Sequence, residues 1–473
     1  MIELFIPLLQ EGGQYLYQQI YDYIKKEIIS GKLFAGERLP SARLLALQLQ
    51  VSRSTVDLAY EQLVSEGYIE SVPCKGFYVC EVEDLYKSVQ VEKKHSEVVA
   101  KTHKIRIDCS PNKLDQSFFP METWKKISRT VLANDGENLL ELGDHRGEVL
   151  LRDGISRYLH NSRGVNCESD QIIIGAGSDY LLLLLQRMLG RSLTLAIENP
   201  SYQRAYEIFY HSGYNICPIE LDGAGILVDL LEDSKANVAY VTPSRQFPTG
   251  IVMPIGRRSE LLKWATRENA RFIIEDDYDS EFRYKGKPIP SLQGLDTNGR
   301  VIYLGTFSKS IAPSLRVSYM VLPPDLMKLY QSTCSMIPCS VPRIDQIILQ
   351  EFMLESHYER YLNKMRKIYK SKHDYLFELL SMHHKYFKIL GESGGLHFLL
   401  EEQYRGLFSD TIVKKCEEQG LKIYQLSDYD RILREKNAPG YRNTIVFGYA
   451  SLTKRQMEEA VEILVKCIKK VIE

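Results

Sequence analysis

The stretch Val301-Ile302-Tyr303-Leu304-Gly305-Thr306-Phe307-Ser308-Lys309-Ser310-Ile311-Ala312-Pro313-Ser314-Leu315-Arg316 decides the fold prediction for the whole chain. Its first four residues are apolar and predict a buried strand. A lysine buried just past such a strand would have a lowered pKa and act as a nucleophilic amine. Lys309 could therefore form a Schiff base with a carbonyl cofactor. The hydroxyls of Thr306 and Ser308 and the guanidinium of Arg316 could hold a phosphate. From this stretch alone, a lysine in a surface loop is the alternative.

A second apolar strand is predicted upstream, in Arg271-Phe272-Ile273-Ile274-Glu275-Asp276-Asp277-Tyr278-Asp279, and it ends in an acidic cluster. A carboxylate held against a pyridine nitrogen keeps that ring protonated and makes it an electron sink. A phenol two residues further on could reach the 3-hydroxyl oxygen of the ring. Strand, Asp276, Tyr278, a further strand and Lys309 resemble, in this order, the fold-type I pyridoxal phosphate enzymes of the aspartate aminotransferase group.

This resemblance covers roughly residues 107–473. It implies an α/β fold, with a mixed-sheet large subdomain and a smaller α+β C-terminal lobe. It also implies that pyridoxal 5'-phosphate is the cofactor, bonded to Lys309, with Asp276 on the pyridine nitrogen and Tyr278 on the 3-oxygen. The cofactor residues expected in this way are Gly177, Ser178, Asp179, Tyr202, Gln246, Asp276, Tyr278, Thr306, Ser308, Lys309 and Arg316.

The assignments of the phosphate-binding turn (Gly177, Ser178 and Asp179), of Tyr202 and of Gln246 rest on further motifs. Residues 170–179 predict a strand, a glycine turn and a helix start, where backbone amides bind phosphate well. Tyr202 matches the aromatic residue that stacks on the ring, with a packed core tyrosine as the alternative. Phe247 occupies the place where classical aminotransferases have an asparagine for the 3-oxygen, so Gln246 is taken as its substitute.

The first 82 residues predict a separate winged helix-turn-helix domain. Two helices, a short turn, a third helix capped by Ser52 and two short strands follow one another, and the third helix would enter the DNA major groove. A small helical dimerisation domain is the alternative, since residues 1–80 carry seven Lys and Arg against nine Asp and Glu. The expected DNA-binding residues are Arg38, Arg43, Ser52, Arg53, Thr55, Lys75 and Gly76.

This N-terminal pattern also resembles the GntR family closely, and the two-part architecture resembles the MocR/GabR group of bacterial regulators. Between the parts, residues 83–106 are rich in charge and contain neither proline nor glycine, which predicts a flexible linker. The resemblance implies a homodimer, arranged head-to-tail, that binds double-stranded DNA at paired half-sites.

Composition agrees with such a protein and argues against a secreted, a membrane-spanning or a metal-binding one. A chain of 473 residues predicts two or three domains, and a net charge of −1 identifies no partner. The nine cysteines form no C-x-x-C pair and no cluster at metal spacing, which favours a cytoplasmic protein with reduced thiols and no bound metal. The N-terminus lacks the pattern of a signal peptide, and no apolar run is long enough to span a membrane.

The residues that would bind the effector are predicted from matches and departures at single positions. By resemblance to GabR-like members, Arg204 would bind an effector carboxylate, with a solvated helix arginine as the alternative. Val446 stands where the family usually has a carboxylate-binding arginine, and Arg442, four residues away, is the candidate substitute. Leu142 stands where a tyrosine usually reaches the partner's phosphate. Together with Phe247, these departures argue against efficient transamination of dicarboxylates.

The sequence therefore predicts a pyridoxal phosphate-dependent transcription regulator that senses an amino acid or related amine through aldimine exchange at Lys309. One alternative is an active aminotransferase with an appended DNA-binding head. Others are a regulator that senses pyridoxal phosphate itself, and a regulator whose large domain no longer binds the cofactor and serves only for dimerisation.

Overall fold

The chain folds as two units. The computed structural model describes residues 4, 6–8, 15–73, 75–81, 105–134, 136–286, 289–404, 410–431 and 444–472. Contacts divide the chain into the compact units Met1–Ala100 and Lys101–Glu473. The predicted linker lies outside the described residues except for positions 105 and 106, so its limits stay a prediction. Among the described helices, none combines the length and apolar character needed to cross a membrane.

The small unit has the predicted winged helix-turn-helix fold. Its elements are α1 Leu16–Ile29, α2 Ala42–Leu49, α3 Arg53–Ser65, β1 Ile69–Val72 and β2 Gly76–Val79. The side chains of Ser41 and Ser52 cap α2 and α3, each accepting a backbone hydrogen bond of 3.2 Å. Apolar residues of all three helices form one buried core with Ile69 and Val79, which face each other across the antiparallel strands.

The large unit contains most of the strands. They are β3 Ile107–Asp108, β4 Ile172–Gly175, β5 Thr194–Asn199, β6 Asn215–Asp222, β7 Gly225–Ile226, β8 Val238–Val241, β9 Phe272–Asp277, β10 Val301–Thr306, β11 Ser318–Val321, β12 Phe387–Leu390, β13 His397–Glu402, β14 Leu421–Lys422, β15 Tyr424–Gln425 and β16 Thr444–Gly448.

The helices of the large unit lie between and after these strands. They are α4 Met121–Asn134, α5 Val149–Arg163, α6 Ser178–Leu189, α7 Gln203–His211, α8 Val228–Asp233, α9 Ile255–Thr266, α10 Phe307–Ser310, α11 Pro324–Thr333, α12 Arg343–Leu354, α13 His357–Ser381, α14 Asp410–Glu418 and α15 Lys454–Ile472.

Eight of the described strands form one mixed sheet in the order β4-β11-β10-β9-β8-β5-β6-β7. The central strands β10, β9, β8, β5 and β6 are parallel, and β11 is antiparallel to both of its neighbours. Both faces of the sheet are covered. Tyr303 packs in the core that contains α5 and α12 residues, whereas Leu304 packs in the core that contains α6 residues.

The smaller C-terminal lobe is built on the antiparallel sheet β12-β13-β16-β15. Helices α13, α14 and α15 share one apolar core with this sheet. The short strand β3 belongs to this lobe, because Ile107 pairs with Leu421 of β14. The α/β fold, with a mixed-sheet subdomain and a smaller lobe, is thus confirmed.

Candidate functional site

A cavity of about 250 Å³ lies at the carboxyl ends of the central strands of the mixed sheet. In open α/β sheets this edge is where ligands bind, since the loops that follow parallel strands meet there. The cavity is lined by Asn112, Ser178, Asp179, Tyr202, Arg204, Phe247, Asp276, Tyr278, Thr306, Ser308, Lys309, Pro313 and Arg316. The structure therefore brings together nine of the eleven predicted cofactor residues.

Lys309 lies on the single turn of α10, directly after β10. The Thr306 side chain caps this turn by accepting a hydrogen bond of 3.1 Å from the Ser308 backbone. The Lys309 ammonium donates hydrogen bonds of 3.0 Å to the Pro111 carbonyl and to Asn112 Oδ1.

Burial lowers the pKa of Lys309 to about 8, against the opposing attraction of Asp279. Compared with an ordinary lysine, the fraction of neutral amine at pH 7 is roughly 200 times larger, given a reference pKa near 10.4. A neutral amine is the nucleophilic form, so the local structure prepares Lys309 to attack a carbonyl carbon.

Asp276, near the end of β9, is a carboxylate that lines the same cavity as Lys309. Burial raises the pKa of Asp276 to about 7, although its carboxylate accepts a hydrogen bond from the Tyr240 hydroxyl. The buried hydroxyl of Tyr278 makes no hydrogen bond of standard geometry within the described part of the chain, although Arg245 lies nearby. A cationic ring nitrogen would give the buried Asp276 carboxylate a charge partner, and a ring oxygen would satisfy the Tyr278 hydroxyl.

The turn before α6 forms an anion cradle with Arg316. Gly177 has φ +95°, and a Cβ atom there would lie 2.1 Å from a terminal nitrogen of Arg316. Glycine is therefore required for the guanidinium to lie against the turn. Arg316 forms an ion pair of 3.4 Å with Asp179. The buried Ser308 hydroxyl has no hydrogen-bond partner among the described residues. Backbone amides, a guanidinium and an unpaired hydroxyl suit a phosphate group.

These observations fit pyridoxal phosphate in each of its parts. The Lys309 amine suits its aldehyde, Asp276 its ring nitrogen, Tyr278 its phenolic oxygen, and the cradle its phosphate. Tyr202 presents an aromatic ring beside the same cavity.

The prediction for Gln246 requires a correction. Gln246 does not line the cavity, because the loop that follows β8 uses both ends of its amide. Its nitrogen donates to the carbonyls of Pro200 at 2.8 Å and Phe247 at 2.7 Å, and its oxygen accepts a bond of 3.0 Å from the Thr249 backbone. Gln246 therefore shapes the loop and has no free group for a ring oxygen.

Phe247 and Val446 form an apolar wall next to the cavity. Both are buried in one cluster with Leu399, Leu426 and Tyr429, and Tyr202 and Tyr278 pack against it. The Phe247 ring meets the Tyr202 and Tyr278 rings edge-on, at centroid distances of 5.8 and 5.4 Å. Within the described part of β16, the position where the family usually has a carboxylate-binding arginine is thus occupied by the buried, apolar Val446.

The two expected effector residues differ in what the structure shows. Arg204 lines the cavity, its side chain is 66% exposed, and it pairs with Asp179 at 3.3 Å. Arg442 lies outside the described residues. Sequence reasoning missed Asn112, because no motif marks it.

The expected DNA-binding residues lie just before and at the start of α2, at the start of α3, and at the end of the turn between β1 and β2. Arg38, Arg43, Ser52, Arg53 and Lys75 are exposed, whereas Thr55 and Gly76 are half-buried.

Two details limit the roles of these residues. The Ser52 hydroxyl caps α3 and lies 2.7 Å from the Thr55 hydroxyl, so both have a structural use. The Arg38 guanidinium lies against Gly76, where a Cβ atom would be 3.4 Å from Arg38 Nε.

Comparisons with known proteins agree with both units. Residues 102–464 match the aminotransferase class I and II family, and residues 16–79 match the bacterial regulatory proteins of the gntR family. The solved structure of the multiple substrate aminotransferase from Thermococcus profundus has a TM-score of 0.68 and 25% identity to this chain. The match covers 77% of this chain and 92% of the aminotransferase.

Two relatives match almost from end to end. The uncharacterized HTH-type transcriptional regulator YdeL of Bacillus subtilis (strain 168) is 40% identical over 95% of this chain and 96% of its own length. The probable rhizopine catabolism regulatory protein MocR of Rhizobium meliloti is 30% identical over 95% of this chain and 93% of its own length. Since each unit also matches one of the two families, the chain belongs to the MocR-type transcriptional regulators, with a GntR-family DNA-binding domain joined to an aminotransferase-like domain.

Proposed function

We propose that this regulator binds pyridoxal phosphate at Lys309 and senses a small amine there, and that the amine changes its affinity for DNA. The observation that carries the proposal is the placement of Lys309, with a pKa lowered to about 8, in one cavity with Asp276 and Tyr278.

When bound, pyridoxal phosphate supplies an aldehyde that condenses reversibly with primary amines. Lys309 would hold its aldehyde end as the resident amine, which an effector amine would have to displace. Asp276 would carry the negative charge that keeps a proton on the ring nitrogen, and Tyr278 would donate its hydroxyl hydrogen to the ring oxygen. Ser308, Arg316 and the turn at Gly177 would orient the molecule through its phosphate.

The apolar wall restricts the class of effector. Phe247 and Val446 offer no charge for a carboxylate on their side of the cavity, and burying an unpaired carboxylate there would be costly. Arg204 is the cation available on the other side, and its exposure leaves it free to turn toward a ligand. The proposed effector is therefore a primary amine with at most one acidic group, held by Lys309 chemistry and by Arg204.

A second candidate, an active aminotransferase with a DNA-binding head, is supported by the same Lys309 and Asp276. Against it stand Leu142, Phe247 and Val446, which replace residues that the aminotransferase resemblance leads us to expect. Turnover needs a substrate that stays bound in one orientation through several steps. The apolar side chains of Phe247 and Val446 have no group that would bind the carboxylate of an amino acid.

The proposal also includes a homodimer. Leu140 and Leu142 are 84% and 85% exposed, and Val149 and Leu150 at the start of α5 are 50% and 55% exposed. Large apolar side chains so close together in the sequence support a surface that another subunit covers. A C2 dimer of this kind would present two DNA-binding units to paired half-sites.

The deciding experiment is a titration of the full-length protein, loaded with pyridoxal phosphate, with a panel of amines and amino acids. We expect a persistent shift of the near-visible absorbance band without release of a keto acid, and a matching change in DNA affinity. Release of a keto acid with bleaching of the band would instead establish the aminotransferase.

Lys309→Ala provides the matched test of the covalent mechanism. The variant should lose the absorbance shift and the amine-dependent change in DNA affinity, while its basal DNA binding stays within about twofold of the original protein, since Lys309 lies outside the DNA-binding unit. Lys328→Ala, an exposed lysine paired with Asp325 on the same unit, should behave like the original protein. An amine response that survives in Lys309→Ala would overturn the proposal.

A further inference from the structure

The first described residues of the large unit form a segment that lies on the C-terminal lobe. We call residues 105–115 the strap. Near its start, Arg106 pairs with Glu459 of α15 at 2.7 Å. At its end, Asp115 accepts a hydrogen bond of 2.7 Å from Lys372 of α13. The strap is therefore anchored to the lobe at both ends, and its first two residues, 105 and 106, are the last two of the predicted linker to the DNA-binding unit.

The middle of the strap lies directly on β16. The backbone N–H of Gly448 donates to the Cys109 carbonyl at 2.9 Å, and a Cβ atom on Gly448 would lie 2.3 Å from the Ser110 carbonyl oxygen. This close approach places the next two residues, Pro111 and Asn112, over the cavity. There both accept hydrogen bonds of 3.0 Å from Lys309.

The two acceptors distinguish the chemical forms of Lys309. A free lysine ammonium has three N–H donors and can serve both acceptors at once. Once Lys309 Nζ has condensed with an aldehyde, with loss of water, the nitrogen keeps at most one N–H. It can then no longer donate to both Pro111 and Asn112. When an effector amine takes over the aldehyde carbon, the lysine amine is released and recovers its donors.

We propose that Pro111 and Asn112 form a latch that binds the Lys309 amine whenever this amine is free, and that the strap passes this state to the segment leading to the DNA-binding unit. The inference rests on the proposed function, because it requires Lys309 to alternate between a bonded and a free form. It gives Asn112 a positioning role, and it connects the chemical state of Lys309 in the cavity with the segment that leads to the DNA-binding unit. Effector capture would tighten the strap.

The test follows amide hydrogen exchange of strap peptides in the full-length protein by mass spectrometry. Three states are compared: without pyridoxal phosphate, loaded with it, and loaded and then treated with O-methylhydroxylamine. This probe condenses with the aldehyde and releases the lysine amine, so the effector need not be known. We expect the loaded state to exchange roughly fivefold faster than the other two, the factor that one hydrogen bond of ordinary strength provides.

Variants at position 112 test the latch itself. Asn112 is exposed, so its replacement should leave the fold intact. Asn112→Ala should remove most of the difference between states, whereas Asn112→Asp, which keeps an oxygen acceptor, should preserve it. Lys113→Ala is the control on the same segment, because Lys113 pairs with Asp108 rather than with Lys309.

A pH profile separates the latch from a merely structural role. The charged groups that act on Lys309 are Asp276, Asp279 and Arg245, and none of them changes in these variants. An added carboxylate in Asn112→Asp should shift the pH midpoint for capture of pyridoxal phosphate upward by stabilising the ammonium. Asn112→Ala should shift this midpoint downward.

Different results would overturn the latch and the proposed function. If no near-visible band shows a bond to Lys309, the proposed function is wrong. If the band forms and O-methylhydroxylamine removes it, but strap exchange is equal in all three states, the latch is overturned and the proposed function stands. Unshifted pH profiles in both Asn112 variants would also overturn the latch.

Discussion

At the scale of single residues, the position of Gly177 is the sharpest test of the phosphate cradle. Gly177→Ala would put a methyl group 2.1 Å from Arg316, at a backbone φ of +95° that side chains rarely adopt. Arg316 must then move, and we expect the affinity for pyridoxal phosphate to fall at least about tenfold, which corresponds to the loss of one charge-assisted contact. Equilibrium titration of the cofactor-free protein measures this effect.

Gly256→Ala is the matched control for this prediction. Gly256 lies in α9 with no atom within 4 Å of an added Cβ and with no positive φ. The same chemical change should leave cofactor affinity unchanged and stabilise the helix slightly. Equal losses in both variants would contradict the cradle.

Residues at strand ends could be predicted from the sequence, whereas residues brought in from elsewhere could not. Asp276 and Lys309 follow two apolar runs that pair as neighbouring parallel strands, so their meeting at one sheet edge follows from the pattern. Asn112 is 197 residues away from Lys309 in the chain, and no periodicity connects them. The position of Gln246 could not be predicted either, because its amide is bound by Pro200 and Thr249, and no sequence pattern marks these contacts.

At the scale of elements, α3 is the candidate for DNA recognition. Its first residue, Arg53, is 70% exposed and forms a long contact of 3.4 Å with Asp57. Exposed pairs of this kind contribute little to stability, so the guanidinium is available to DNA. Arg53→Ala should weaken DNA binding by about 1–3 kcal/mol if Arg53 contacts a base, and should lower the salt dependence by about one charge if it contacts a phosphate.

Lys32→Ala is the control for α3 within the same unit. Lys32 is also exposed, but it follows α1 and pairs with Glu27 at 2.8 Å. Its removal should change neither the affinity nor its salt dependence, as measured by fluorescence anisotropy at several salt concentrations. A loss as large as that in Arg53→Ala would mean that the small unit binds DNA through general charge rather than through α3.

Some elements of the fold could be predicted from local sequence, and others could not. The helices of the small unit were predicted because Ser41 and Ser52 stand at the cap positions that their hydroxyls occupy in the structure. The pairing of β3 with β14 was not predicted, since two residues carry no strand signal and their partner lies more than 300 residues away. Tertiary contacts, rather than local propensity, create that element.

At the scale of the whole molecule, the exposed leucines lead to a prediction about assembly. Leu142 is 85% exposed and lies close in sequence to the exposed Leu140, Val149 and Leu150. A charge placed in a surface that a second subunit covers would lose its hydration without gaining a partner, which costs several kcal/mol. Leu142→Asp should therefore convert the proposed dimer to monomer at micromolar concentration, as sedimentation velocity would report.

Met382→Asp is the comparison for this change, because Met382 is also exposed, at 65%, but follows α13. That variant should remain dimeric. A monomeric Leu142→Asp protein should also lose cooperative binding to paired half-sites, since each DNA-binding unit would then contact its half-site independently. A dimer that persists in Leu142→Asp would place the subunit interface on another surface and would leave the exposed leucines without an explanation.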